Sequence, residues 1–168
     1  PVPTRHHKRN GNPGMRSDGG GSVRYKPLFR SVRNGYDTVD FYHSDRRLGT
    51  NEEFKALIEK FREAGIRVVL NGVFNHVGRA FPPFKEVLEK RENTDYRFWF
   101  NLNFWGNSRY NDGLDYENWE GHPELVKLRL ENQDLQNYLL DAVRFCIRES
   151  GIDPLRLDDC YLLPPWFI

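Results

Sequence analysis

Residues 50–70 read TNEEFKALIEKFREAGIRVVL, and this stretch decides the fold class. Phe54, Leu57, Ile58, Phe61 and Ala64 recur at helical spacing, so one helix face is apolar and needs a partner to bury it. Thr50 followed by Glu53 makes a capping box, in which each side chain satisfies a backbone N–H at the helix start. Gly65 ends the helix, and Ile66, Arg67, Val68, Val69, Leu70 follow as a short, largely β-branched run of the kind that fills a buried parallel strand.

The same order returns further along. Leu135, Leu139, Ala142, Val143 and Cys146 line one helical face, Gly151 closes that helix, and Ile152 leads to Leu155, Arg156, Leu157. Two helix-to-strand units in series predict an α/β architecture with parallel strands. A further strand is expected at 22–29, interrupted by Pro27. The visible order is then strand, helix, strand, long excursion, helix, strand, about three of the eight strands of a (β/α)8 TIM barrel.

The excursion, roughly residues 77–131, is too long for an ordinary connection and is expected to be a loop-rich subdomain or lid. It is crowded with aromatic residues, among them Phe81, Phe84, Phe98, Trp99, Phe100, Trp105, Tyr110, Tyr116 and Trp119. Such rings either build a small local core or offer flat faces to sugar rings at the carboxyl end of a barrel strand, and both roles can be filled by different residues.

Composition narrows the partners. The chain has 168 residues, with 25 basic against 24 acidic and a net charge of +1, which gives no global field for gathering nucleic acid or anionic lipid. The one basic cluster, RHHKR at 5–9, lies in a Gly, Asn and Ser-rich stretch; residues 1–21 are expected to be a leader without order. His6 and His7 have no Cys or acidic cluster at ligand spacing. Two cysteines, Cys146 and Cys160, make no disulfide framework and read as reduced core residues, which favours a cytoplasmic location. No apolar run is long enough to span a bilayer. The chain starts with Pro and stops at an apolar Trp-Phe-Ile, so both ends are expected to be cuts through a longer protein.

Ligands of α/β folds gather at the carboxyl ends of the parallel strands. The first such end is Asn71, Gly72, Val73, Phe74, Asn75, His76, where an Asn-His pair emerges from an apolar strand. That pair suits either a structural role or the orientation of a sugar hydroxyl or an oxygen-seeking cation. At the second end, Arg156 and Asp158 alternate with leucines and share a side of the strand. By spacing alone this is either a structural ion pair or a guanidinium that keeps a nucleophilic carboxylate ionised and oriented.

Taken together, Gly35, Tyr36, Asp37, Thr38, then Leu48, Gly49, Thr50 before a helix, then Val-Phe-Asn-His at 73–76, then Leu-Arg-Leu-Asp at 155–158 resemble the alpha-amylase family, especially its neopullulanase and cyclomaltodextrinase-like members. The resemblance covers residues 22–168 and implies the second to fourth strands of a catalytic barrel: partial barrel at 22–76, inserted subdomain at 77–131 and partial barrel again at 132–168. It implies that Asp158 is the nucleophile, Arg156 its supporting cation, Tyr36 the aromatic platform under the cleaved sugar and His76 a hydrogen-bond partner of that sugar. Asn75 would be structural, substrate-binding or near a calcium site; no cofactor is required.

The reaction implied is retaining hydrolysis or transglycosylation of α-1,4 or α-1,6 glucosidic bonds in an oligo- or polysaccharide, with neither nucleic acid nor membrane as partner. The acid/base Glu of the family belongs to a fifth strand and a further Asp to a seventh, beyond these residues; Glu117, Glu120 and Glu124 have no spacing that points to the sugar. The alternative is a catalytically dead carbohydrate-binding remnant, in which case the same residues bind without cleaving. The chain departs from the family pattern at Asn71, where Asp is usual, at Pro154, where Gly is usual, and at Arg129, where Asn is common.

Overall fold

The computed structural model describes residues 15–17, 22–25, 29–33, 35–152 and 155–168. The basic cluster at 5–9 with His6 and His7, Pro27 and Pro154 lie outside them. Along the chain the elements are β1 (Met15–Ser17), β2 (Ser22–Tyr25), β3 (Phe29–Ser31), β4 (Thr38–Ser44), α1 (Asn51–Glu63), β5 (Arg67–Gly72), β6 (His76–Gly78), α2 (Pro82–Lys90), β7 (Leu102–Asn103), β8 (Asp115–Tyr116), β9 (Asn118–Trp119), β10 (His122–Lys127), α3 (Gln133–Ser150) and β11 (Leu155–Leu157).

The capping box that starts α1 is formed in both directions: the Glu53 N–H donates to Thr50 Oγ1 at 3.2 Å, and the Thr50 N–H donates to Glu53 Oε2 at 2.8 Å. Phe54 and Ile58 are buried, and Gly65 takes the left-handed φ of +72° that turns the chain into β5. Helix α3 repeats the scheme. The Asn132 side chain caps it by accepting from the Leu135 N–H at 2.9 Å, its face of Leu135, Leu139, Ala142 and Cys146 is buried, and Gly151 ends it at φ +64°.

Strands β2, β5 and β11 lie side by side and parallel, with Val23 opposite Val68, Leu155 opposite Leu70 and Arg156 opposite Asn71. Helices α1 and α3 pack on each other, α1 against β5 and α3 against β4, and Val68, Leu70, Leu135, Leu139 and Ile152 share one core.

Four expectations need correction. Within the stretch expected to lack order, Met15–Ser17 form β1, paired antiparallel to β2; the edge of β2 offers unmatched N–H and C=O groups, and the preceding chain takes them up. The strand expected at 22–29 is two strands: β2 ends at Tyr25, and β3 turns away to pair antiparallel with β4. Strand β4 has the burial order of a half-covered strand and is an element the helical and apolar runs did not announce. Cys146 is buried, whereas Cys160 is exposed just after β11 and is no core residue.

The excursion has its own regular structure. Strands β6, β10 and β9 form an antiparallel sheet, β7 pairs with β8, and α2 lies between them in the chain. Its aromatic residues divide by role. Phe81, Phe84, Trp99, Phe100 and Tyr116 are buried and pack in edge and tilted contacts that join Phe41 of β4 and Tyr138 of α3. Phe98, Trp105 and Tyr110 are exposed. Arg79 pins a long loop by an ion pair to Asp112 at 2.5 Å while its guanidinium lies 3.9 Å from the Tyr110 ring centre.

Candidate functional site

The carboxyl ends of β5 and β11 open into a cleft of about 360 Å³. Tyr36, His76 and Asp158, three of the residues singled out from the sequence, line it. Asp37, Asp159 and Arg33 line it from the side of β4 and β11, and Trp119, His122, Glu124 and Leu125 from the β9–β10 hairpin.

Arg156 and Asn75 stand behind this lining. The pleat puts Arg156 and Asp158 on one side of the chain, and Arg156 Nη1 donates to Asp158 Oδ1. The same nitrogen donates to Asn71 Oδ1 at 2.5 Å, and the Asp158 N–H is held by the Gly72 carbonyl at 2.9 Å. The hydrogen bond that Arg156 donates to Asp158 raises the Arg156 pKa further above its already high value, so this cation is permanent. Asp158 is thereby fixed through both its backbone and its carboxylate.

His76 opens β6 and is almost fully buried. Its Nε2 lies 3.0 Å from the Tyr36 carbonyl oxygen. A carbonyl oxygen only accepts, so Nε2 carries the proton and Nδ1 is a bare acceptor. Burial lowers the His76 pKa, which keeps the ring neutral at neutral pH. Nδ1 has no hydrogen-bond partner among the described residues, and the Trp119 ring centre is 5.6 Å from that of His76.

The loop that presents Tyr36 is tied at several points. Asp37 is buried and accepts the Arg33 N–H through both carboxylate oxygens, at 3.2 and 3.0 Å. Arg47 donates to the Arg33 carbonyl, to Ser31 Oγ at 2.7 Å and to Asp45 Oδ2 at 2.6 Å. The Arg47 contact holds the Asp45 carboxyl well below the usual carboxylate range. Gly78 lets this loop approach β6: a Cβ there would stand 2.7 Å from the Asp37 carbonyl oxygen.

Asn75 is buried, its Nδ2 3.5 Å from Asp159 Oδ2 and its Oδ1 without a partner among the described residues. An orphaned amide oxygen is one ligand where calcium takes six to eight oxygens. No group of three or more His, Cys, Asp or Glu that could hold a metal gathers among the described residues. The residues around Asn75 do not fit a calcium site, and no chemical step is drawn through one.

Of Glu117, Glu120 and Glu124, Glu117 is bound to Lys127 and to Asn101 Nδ2 away from the cleft, and Glu120 accepts from the Tyr161 hydroxyl at 3.1 Å. Glu124 does line the cleft, 3.3 Å from His122 Nδ1. The sequence offered Trp119 only as one of the excursion's aromatic residues and Glu124 only as a glutamate with no spacing toward the sugar, and it did not single out His122; the turn that brings them together passes through Gly121 at a positive φ. Asp37 and Asp159 were legible as the immediate neighbours of Tyr36 and Asp158.

The family profile described as alpha amylase, catalytic domain, matches residues 19–164. The chain belongs to the alpha-amylase family. Among its relatives are a cyclomaltodextrinase of Bacillus sp, 39% identical over 138 residues that make up 82% of this chain and 25% of the relative, and neopullulanase 2 of Thermoactinomyces vulgaris, 35% identical over 139 residues, 82% of this chain and 23% of that one. Among solved alpha-amylase-type structures, a cyclomaltodextrinase superposes with a TM-score of 0.81 at 37% identity, covering 89% of this chain and 26% of its own. The cyclic alpha-maltosyl-(1→6)-maltose hydrolase of Arthrobacter globiformis in complex with maltose gives the same TM-score of 0.81 at 32% identity, covering 89% and 34%. The chain thus spans about a quarter of the length of the relatives it matches. Its kin are glycoside hydrolases acting on α-glucans, and the catalytic domain of the alpha-amylase family is a TIM barrel. Among the described residues no helix is long and apolar enough to cross a membrane.

Proposed function

We propose that these residues form the second to fourth strand units of a (β/α)8 barrel, with residues 77–131 inserted, and that they supply the nucleophile half of a retaining α-glucan hydrolase or transglycosylase. The observation that carries this reading is the convergence of Tyr36, His76 and an Arg156-bound Asp158 on one cleft at the strand ends. Tyr36 offers its ring to the sugar face. Asp158 attacks the anomeric carbon of an α-1,4- or α-1,6-linked glucosyl unit, the leaving group departs with the bonding pair, and a glycosyl ester remains on the carboxylate. Arg156 holds that carboxylate in position.

The retaining reaction also needs a second carboxyl group about 5 to 5.5 Å from the nucleophile to protonate the leaving oxygen and then to activate water or an acceptor sugar. The family resemblance implies that it belongs to a fifth strand, so hydrolysis is assigned to the assembled barrel, and the 168 residues alone are assigned glucan binding without turnover. Titration with maltoheptaose and with cellohexaose tests the binding: saturable heat with the α-linked chain that is lost in Tyr36→Ala supports the reading. Equal affinity for both sugars, or an unaffected Tyr36→Ala, refutes it.

A further inference from the structure

We infer that Trp119 is a substrate-binding residue that works as a pair with His76, one sugar hydroxyl accepting from the Trp119 indole N–H and donating to His76 Nδ1. The inference rests on the α-glucan reading of the cleft and extends it to a residue outside the strand-end motifs.

Two polar atoms in this one cleft are buried and have no hydrogen-bond partner among the described residues: Trp119 Nε1 and His76 Nδ1. Leaving such atoms unpaired is unfavourable, and native folds rarely tolerate it without a ligand or water to complete them. Their chemistry is complementary. An indole nitrogen can only donate, and His76 Nδ1 can only accept because Nε2 holds its proton against the Tyr36 carbonyl. A hydroxyl group is the simplest partner that accepts from one and donates to the other. The two rings are neighbours in the cleft, their centres 5.6 Å apart at a tilt of 46°.

The placement of Trp119 is itself constrained. It ends β9, and the turn into β10 passes through Glu120 at φ +46° and Gly121 at φ +84°. A non-glycine residue in the left-handed region is unfavourable and persists where surroundings enforce it. Here the Glu120 carboxylate accepts from the Tyr161 hydroxyl at 3.1 Å, tying the turn to the segment that follows Asp158 and Asp159. The indole is therefore set from both sides of the cleft.

Calorimetric titration of the full chain with maltoheptaose, in the wild type and in Trp119→Phe, tests this. Phenylalanine keeps an aromatic ring and removes the N–H, so affinity is expected to fall about fivefold, the loss of one neutral hydrogen bond, with an unchanged circular dichroism spectrum. Unchanged affinity in a folded Trp119→Phe overturns the inference. A second measurement needs no variant: the indole N–H resonance of Trp119 in the ¹⁵N-labelled wild type is expected to move downfield at saturating maltoheptaose. A resonance that stays in place, as it would if water already filled the position, overturns the pairing. If the wild type fails to bind maltoheptaose, the α-glucan reading falls and this inference with it; if it binds and Trp119→Phe binds equally well, only the role of Trp119 falls.

Discussion

Asn71 and Arg156 face each other across the parallel β5–β11 ladder and share a hydrogen bond of 2.5 Å from Nη1 to Oδ1. The amide oxygen accepts a guanidinium hydrogen bond without bringing a second negative charge, and among the described residues Asp158 is the carboxylate paired with that cation. Asn71→Leu is expected to cost about 1 kcal/mol of stability in urea denaturation, below the range for a charge-assisted bond because Arg156 is partly exposed. A variant as stable as the wild type would show that the amide contributes nothing to the strand pairing.

His76 makes stability depend on pH. Its unfolded pKa is near 6.5, and burial lowers the folded value. Between the two, the unfolded chain binds more protons, so stability is full above about pH 6.5 and is lost as pH falls through the folded pKa. His76→Gln is expected to flatten the slope of unfolding free energy against pH below 6.5. An identical slope in the variant would mean that other groups carry the titration.

Gly78 sits where a Cβ would press on the Asp37 carbonyl at 2.7 Å. Gly78→Ala is expected to push the Tyr36 loop outward and weaken maltoheptaose binding about tenfold, or about 1.4 kcal/mol. Calorimetry reads the loss. Because β6 also pairs with β10, thermal melting of the same variant separates a displaced loop from a disrupted sheet.

Phe41 is 1% exposed and touches Phe29, Phe74, Phe81 and Tyr138, joining β4, the inserted part and α3. Phe41→Ala is expected to destabilise the chain by about 3 to 5 kcal/mol through cavity formation. Chemical denaturation measures it, and a loss under 1 kcal/mol would place the shared core elsewhere.

The parts of this fold legible in the sequence are those governed by local pattern. The Thr50 and Glu53 capping box, the Gly65 and Gly151 stops and the β-branched run at 66–70 each carry their information within a few residues, and α1, α3, β5 and β11 follow from such signals, whereas α2 lies in the excursion expected to be loop-rich. Strand β4 was not legible because Thr38–Ser44 mixes aromatic and polar residues, and its pairing with β3 is decided by Asp45 and Arg47 contacts rather than by alternation. Strand β1 arises from an edge left open by tertiary structure, which composition cannot register. At the site, Tyr36, His76 and Asp158 were legible through strand ends and family motifs. The opposite wall, Trp119, His122 and Glu124, comes from a hairpin more than 40 residues after His76 in the chain, brought back by the pairing of β6 with β10. Nothing in its local spacing announces that return.

If Asp158 is a glycosyl-accepting nucleophile, a donor that needs no acid catalyst will trap it as a glycosyl ester. A 5-fluoro-α-glucosyl fluoride has a leaving group that needs no protonation, so Asp158 can displace fluoride from the anomeric carbon without the acid/base partner. After incubation and proteolysis, mass spectrometry is expected to find one added glycosyl group on the peptide containing Asp158, absent in Asp158→Asn. A label on Asp37, Asp159 or Glu124 instead, or no label in a protein that binds maltoheptaose, would contradict the account and leave a cleft that binds glucans without reacting with them.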